Sequence, residues 1–175
     1  MVRGRKNPLY YGFAARLKRG RKEAGHSRRG LIAKSSILDG NAVAVLEQDQ
    51  RIPRLDPVER IAYALGVSPG YLAYGIAGEC APVEMLRAEG VGDRLRAVRQ
   101  SRNLSMRALA RDGALTETTV RATESGKTIP TIATVEALAK ALTVSPAWLA
   151  YGAGPQALPS RRSAQPATQS PEPAE

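Results

Sequence analysis

Apolar residues recur at helical spacing in short runs between residues 92 and 152. Leu95 and Val98 place one apolar face on a first helix over about 92–102. Ser105 and Thr116 are suitable N-caps for a second helix and for a third over about 117–125. An apolar face predicts a fourth helix, formed by Val135, Leu138, Ala139 and Leu142. An N-cap followed by proline, Ser145-Pro146, predicts the start of a fifth helix.

The same order of elements is predicted upstream. Helices are expected roughly at residues 10–24, 28–35, 40–48, 57–65 and 69–74, with Gly25 and Gly66 as helix stops. Asp56 and Pro57 combine an N-cap with a first-turn proline at the start of the fourth of these helices. The fold class predicted for the chain is therefore all-α.

An internal repeat relates the two sets of helices. Residues 67–75 return 77 positions later as residues 144–152, with seven of nine identical. Upstream, Pro53 corresponds to Pro130 and Glu47 to Glu124. A period of this length is the size of a small domain, so the repeat predicts two tandem five-helix domains.

Positive charge is concentrated near the amino terminus. The formal net charge is +10, and residues 1–34 hold eleven Lys or Arg against the single acid Glu23. This concentration is typical of proteins that bind a polyanion, most often nucleic acid, with an anionic membrane surface as the lesser alternative. The one cysteine, Cys80, excludes an intramolecular disulfide and fits a reducing cytoplasm. No apolar run approaches the length of a membrane span, about 18 residues.

A helix, a glycine-containing turn and a second helix in a basic five-helix domain resemble the Cro and lambda-repressor-like (XRE) helix-turn-helix family. The resemblance covers about 92–152 and 13–75. It rests chiefly on Leu104-Ser105, Leu109-Ala110, Gly113, Leu115-Thr116, Val120, Glu124-Ser125-Gly126-Lys127, Pro130, Leu138-Ala139-Lys140-Ala141-Leu142 and Trp148-Leu149. It implies that the third helix of each domain enters the major groove of double-stranded DNA.

The resemblance assigns roles to residues of the second copy. The positions that face base edges are Thr116, Glu117, Thr118, Arg121 and Ala122. Those placed to contact phosphate are Ser105, Arg107, Lys127 and Thr128. It also implies two structural ion pairs, Arg99–Glu124 and Arg21–Glu47. The alternative is that this third helix is the solvated face of a domain that does not bind DNA.

The third helix of the first copy carries different chemistry. Asn41 is its one suitable base reader, since Gly, Ala and Val occupy the other positions. The surrounding cations predict phosphate contacts with little base readout: Arg16, Lys18, Arg19, Arg28, Arg29, Arg51 and Arg54. Alternatively, Val43 and Val45 pack against a partner subunit.

The predicted organisation has five segments. These are a flexible basic arm over 1–8, a divergent helix-turn-helix domain over 9–77, a linker over 78–91, a second domain over 92–154 and a disordered tail over 155–175. Arg3, Arg5 and Lys6 of the arm are expected to contact phosphate or enter a minor groove. The alternative is an unstructured leader that adds only charge.

Catalysis finds no support in the sequence. It contains one histidine, no paired carboxylates, no Cys/His ligand cluster and no nucleophile motif, so neither a cofactor nor a metal is expected. The interpretation is a cytoplasmic transcription regulator of bacterial or phage type, expected to act as a repressor and to engage double-stranded DNA and the transcription machinery. The alternative is a protein-interaction module of the same fold, such as an antitoxin or an adaptor.

Two assemblies remain open from the sequence. Two units in one chain can act as a covalent pseudo-dimer on successive major grooves. The unlike third helices instead favour a homodimer on an inverted repeat, in which each protomer reads bases with its second copy. The fifth-helix aromatics can seal contacts between protomers or, as the favoured use, pack within each unit; they are Tyr71, Tyr74, Trp148 and Tyr151.

Overall fold

The computed structural model describes residues 8–37, 39–76 and 87–157. The first five α-helices are α1 (Phe13–Glu23), α2 (Arg28–Ser35), α3 (Ala42–Glu47), α4 (Leu55–Ala64) and α5 (Pro69–Tyr74). The next five are α6 (Val91–Ser101), α7 (Met106–Asp112), α8 (Glu117–Glu124), α9 (Ile132–Ala141) and α10 (Pro146–Tyr151). A short 3-10 helix precedes each set, Leu9–Gly12 and Arg87–Gly90. Within these ranges the chain forms no strand, and the all-α fold class is confirmed.

Side-chain caps begin α7 and α8. Ser105 Oγ accepts a hydrogen bond from the Ala108 amide at 3.0 Å, and Thr116 Oγ1 accepts one from the Thr119 amide at 3.1 Å. These bonds satisfy amides that have no partner inside the helix. Asn103 ends the preceding turn with a φ of 53°, in the left-handed region that asparagine tolerates.

The fourth helix starts earlier than its sequence indicates. Arg54 occupies the N-cap position of α4, so Asp56 lies in the first turn instead of capping it. Leu55 is completely buried, and its amide donates to the Pro130 carbonyl oxygen at 3.1 Å. This contact with the distant half of the chain extends the helix by two residues beyond the predicted start at residue 57.

Two predicted segment boundaries also differ. The second 3-10 helix and Val91 fall in the predicted linker, yet Ala88 and Val91 belong to the hydrophobic core. Beyond Gly154, the Gln156 carbonyl oxygen accepts a hydrogen bond from the Ser145 amide at 2.8 Å. The arm residues Arg3, Arg5 and Lys6, the linker residue Cys80 and the tail from residue 158 lie outside the described residues.

The two sets of helices meet along a seam formed by residues 53–55, residues 130–132, α5 and α10. The Leu55 amide donates to the Pro130 carbonyl, and the Ile132 amide donates to the Pro53 carbonyl at 3.0 Å. Arg54 and Thr131 form an isolated antiparallel bridge between these two bonds. The partners are equivalent across the repeat, because residues 130 and 132 lie 77 positions after 53 and 55.

Two buried tyrosines form a second reciprocal pair of hydrogen bonds across the seam. Tyr74 Oη donates to the Ile132 carbonyl oxygen at 3.1 Å, and Tyr151 Oη donates to the Leu55 carbonyl oxygen at 3.4 Å. Burial raises the pKa of both phenols well above its usual value, so they remain neutral donors. These fifth-helix tyrosines therefore pack between the two halves of one chain.

Each 3-10 helix is held by a glutamate of the opposite half. The Glu136 carboxylate accepts hydrogen bonds from the Leu9 and Tyr10 amides, at 2.7 and 3.0 Å. The repeat-equivalent Glu59 accepts one from the Ala88 amide at 3.0 Å. The halves thus share a hydrophobic core and exchange polar contacts in both directions.

Candidate nucleic-acid interface

Helices α7 and α8 form a helix-turn-helix. Leu109 on α7 and Val120 on α8 are both completely buried, and they pack in the core that joins the two helices. Ala114 takes a φ of 52° in the turn, where the chain changes direction between the two helices. The buried residues fix one side of α8, and its opposite side faces solvent.

A buried ion pair holds α8 to α6. Arg99 donates from Nε to Glu124 Oε1 at 2.6 Å and from Nη2 to Oε2 at 2.9 Å. The Glu124 side chain is 1% exposed, and its hydrogen bonds raise the pKa of Arg99, so the guanidinium stays charged. Arg99 also donates to the Leu104 carbonyl at 2.8 Å, which ties the same side chain to the start of α7.

The first half carries the equivalent pair. Arg21 binds Glu47 through Nε at 2.5 Å and through Nη2 at 3.2 Å, and Arg28 adds a bond at 2.8 Å. Burial of Glu47 opposes its ionisation, but the hydrogen bonds from both arginines outweigh burial and lower its pKa. The structure therefore joins both pairs that the resemblance implies.

The residues expected to face base edges form one surface, which we call the reading face: Thr116, Glu117, Thr118, Arg121 and Ala122. Thr116, Thr118 and Arg121 are exposed, and Glu117 and Ala122 are partly exposed. Arg121 Nη2 donates to Glu117 Oε1 at 2.8 Å, so the two charged members are paired with each other. The pair holds the Arg121 guanidinium along the helix. To contact a base, either residue must share its hydrogen-bonding groups with the other or break the pair.

The residues expected to contact phosphate flank this surface. Ser105 and Arg107 are exposed at the start of α7, and Lys127 and Thr128 are exposed just after α8. Ser105 Oγ is already used as a helix cap. Arg107 and Lys127 make no ion pair within the described part of the chain, so their charges are available to a polyanion.

Helix α3 presents less polar chemistry than α8. Asn41 is exposed at its N-cap position, and its amide donates to Asp39 Oδ1 at 2.9 Å. Val43 is completely buried in its own half, which contradicts the alternative that it packs against a partner subunit. Val45 remains partly exposed.

The predicted phosphate-binding cations of the first half separate into two groups. Arg16 lies against the end of α5, where Nε donates to the Leu72 carbonyl at 2.9 Å and Nη2 donates to the Ala73 carbonyl at 2.6 Å. Its donors are committed to helix packing, so Arg16 does not belong to the interface. Two others have acidic partners, since Arg19 pairs with Glu23 and Arg28 with Glu47. The remaining four members of the predicted set are exposed and make no ion pair among the described residues: Lys18, Arg29, Arg51 and Arg54.

A groove of about 420 Å³ lies beside α3. Its walls combine apolar side chains with Arg51, Arg54 and Asp39, and Thr131 of the opposite half closes one side. The apolar members are Ile37, Ala42, Val45, Leu46, Ile52, Pro53 and Pro57. The groove therefore touches both the third helix of the first half and the seam.

Sequence reasoning missed the role of Glu59 and Glu136 in the seam, and it favoured packing of Tyr74 and Tyr151 within each unit instead of across the seam. Glu59 and Glu136, and Tyr74 and Tyr151, are identical at repeat-equivalent positions. That identity signals a shared structural role, but their partners lie in the opposite half. Arg94, the counterpart of Arg16, donates to the carbonyls of Leu149 and Ala150, so the same packing contact occurs in both halves.

The described residues contain no group of three or more His, Cys, Asp or Glu side chains placed to hold a metal ion. Across the same ranges, each helix is too short or too polar to cross a bilayer.

A family model described as helix-turn-helix matches residues 95–149, which span α7, α8 and most of α6, α9 and α10. This match suggests a DNA-binding helix-turn-helix regulator, and the family is generally not enzymatic. Neither a curated protein nor a solved structure matches the chain significantly.

Proposed function

We propose that the protein is a sequence-specific transcription regulator of the Cro and lambda-repressor-like type that inserts α8 into the major groove of double-stranded DNA. The observation that carries this proposal is the reading face, an exposed polar surface on a helix whose other side is fixed by Val120 and by the Arg99–Glu124 pair. Rigid placement of α8 favours base recognition, because contacts to base edges need fixed geometry.

The two halves have different roles in this proposal. The second half selects the sequence through Arg121, Glu117 and Thr118, with Lys127 and Arg107 on phosphates. The first half and the amino-terminal arm supply phosphate contacts, through Lys18, Arg29, Arg51 and Arg54 together with Arg3, Arg5 and Lys6. The protein acts as a repressor in the cytoplasm of a bacterium, encoded by the bacterium or by a phage.

Retention on random-sequence duplex DNA tests the proposal first. Binding is expected at low salt and should weaken steeply as salt rises, because binding releases condensed cations from the duplex and added salt reduces the entropy gained by that release. Absence of retention at low salt would exclude the DNA-binding role.

Two alanine variants then separate base from phosphate contacts. Arg121→Ala should cost about 1–3 kcal/mol on the preferred sequence and relax the preference at one position. Lys127→Ala should weaken binding to all sequences alike and reduce the salt dependence. Identical behaviour of the two variants would contradict base readout by the reading face.

A protein-interaction module is the second candidate, and the groove beside α3 favours it. Its apolar lining offers a site for a side chain of a partner, and Arg51 and Arg54 suit an acidic one. Under this alternative, substitutions on the reading face leave partner binding unchanged, whereas Val45→Asp abolishes it. A pull-down with an acidic partner, compared for Val45→Asp and Arg121→Ala, distinguishes the two.

A further inference from the structure

We infer that one copy of the chain is a complete DNA-binding unit, in which the seam takes the place of a dimer interface between separate subunits. The inference rests on the proposed function and specifies its ligand. That ligand is a duplex with two unlike half-sites, one recognised through its bases by α8 and the other held through its phosphates around α3.

The seam has the contact pattern of a two-fold interface. In such an interface, residue i of one subunit contacts residue j of the other while j contacts i. Leu55 bonds Pro130 while Ile132 bonds Pro53, and each partner lies 77 positions from its equivalent. Three more features follow the same rule: the Tyr74 and Tyr151 bonds, the Glu59 and Glu136 bonds and the Arg54–Thr131 bridge.

An approximate two-fold axis therefore passes through the Arg54–Thr131 bridge. A two-fold axis places equivalent helices at equal height, so α3 and α8 take equivalent positions about it, and in the inferred unit both lie on the side that faces the duplex. Each is joined to the axis by a short loop, residues 48–53 after α3 and 125–130 after α8. Helix-turn-helix dimers place their two recognition helices in successive major grooves, about 34–36 Å apart along the duplex.

The seam surface is already filled within one chain. Leu55, Ile132, Tyr74 and Tyr151 are each at most 2% exposed. At Gly70 on α5, an added Cβ would lie 2.7 Å from Cβ of its repeat-equivalent Ala147, so the two helices touch without a gap. A second copy cannot use this surface, and the homodimer favoured by the sequence is not required to bring two recognition helices together.

The two half-sites differ because α3 and α8 differ. The reading face on α8 carries paired charged groups and two threonines, which can discriminate base edges. Around α3, the exposed polar reader is Asn41, and the unpaired cations Lys18, Arg29, Arg51 and Arg54 suit phosphates. The preferred DNA sequence should therefore be specific in the half-site bound by α8, whereas the half-site held around α3 should accept many sequences.

Selection from a random duplex pool tests this inference. The probe is a library of duplexes about 30 base pairs long, which accommodates two half-sites one helical turn apart. The full-length chain selects binders, mass measurement gives the stoichiometry, and hydroxyl-radical cleavage maps the protected backbone. We expect one chain per duplex, a non-palindromic consensus confined to one half, and backbone protection over both halves.

The outcomes separate the two claims. Two chains on a palindromic consensus, or protection of one half alone, would overturn the inference and leave the DNA-binding function standing. Failure to retain any duplex at low salt would overturn the proposed function and the inference together.

A variant of the first half provides an independent test. Lys18→Ala combined with Arg29→Ala removes two exposed cations of the first half and leaves the seam and the shared core intact. Its affinity for the two-half duplex should fall roughly 10-fold or more, because phosphate contacts around α3 are lost. Its affinity for a duplex that contains only the α8 half-site should match the unmodified chain, which also reports that the protein remains folded. Equal loss on both duplexes would contradict the inference.

Discussion

At the scale of single residues, buried carboxylates fix the helices that face the proposed DNA. Glu124 is 1% exposed and receives two hydrogen bonds from Arg99, whereas Glu23 is 61% exposed and pairs with Arg19 along one helix. The same type of ion pair therefore has different consequences for stability, since water screens the exposed one.

Removal of Glu124 should destabilise the fold strongly. Glu124→Ala leaves Arg99 charged and nearly buried without its partner, which costs about 3–5 kcal/mol in the free energy of unfolding. Glu23→Ala is the matched control and should cause little change. Urea unfolding followed by circular dichroism measures both, and similar values for the two variants would contradict the structural role.

Acid should remove part of this stability at the equivalent residue of the first half. The pKa of Glu47 is lower in the folded state than its unfolded value of about 4.3. Its contribution is therefore complete above that pH and is lost as the pH falls through the folded pKa. The stability gap between the unmodified protein and Glu47→Gln should narrow on acidification, whereas Glu23→Gln should track the unmodified protein throughout.

At the scale of elements, the position of α8 depends on a close crossing with α6. An added Cβ at Gly92 would lie 2.5 Å from the Thr123 carbonyl oxygen and 3.1 Å from that of Glu124. The absence of a side chain there allows α6 to reach the end of α8 and Arg99 to meet Glu124. The glycine on α1 at Gly20 has only ordinary contact, with Leu65 Cδ1 at 3.4 Å.

One substitution made at both glycines should have opposite effects. Gly92→Ala should destabilise the protein by about 1–3 kcal/mol, because the methyl group forces the two helices apart. Gly20→Ala should stabilise it by up to about 1 kcal/mol, through helix propensity alone. Thermal unfolding of both variants checks the signs, and stabilisation by Gly92→Ala would refute the close crossing.

Local signals predicted most helix positions but not the contacts between distant segments. Ser105 and Thr116 cap their helices as expected, because a cap depends on neighbours three residues away. The start of α4 and the contacts of Arg16 differ from the prediction, because their partners lie 75 and 56 residues away in sequence. Arg16 lies among other basic residues, and nothing in the neighbouring sequence indicates that it donates its hydrogen bonds to carbonyls of a later helix.

At the scale of the whole molecule, the seam joins the two halves into one hydrophobic core. Buried residues of α4, α5, α9 and α10 belong to a single cluster, and reciprocal polar bonds cross between the halves. Neither half can expose its side of the seam without losing buried apolar contacts of its own.

The two halves should therefore unfold together. Urea unfolding of the full chain is expected to give one transition, with helix content and tryptophan fluorescence superimposed, as cooperative two-state behaviour requires. Trp148, the one tryptophan, lies on α10 and reports the seam, and circular dichroism reports all helices. Two separated transitions, or a change in the tryptophan signal before the helices unfold, would contradict a shared core.

The reciprocal seam has a consequence for inheritance. In a homodimer encoded by one short gene, any codon change in the recognition helix alters both halves of the operator at once. Here separate codons encode α3 and α8, whereas the contacts that join the two halves occur twice, at repeat-equivalent positions. Under the proposed function, a mutation can change the recognition of one half-site and leave the other unchanged, so the two sides of the operator can evolve separately.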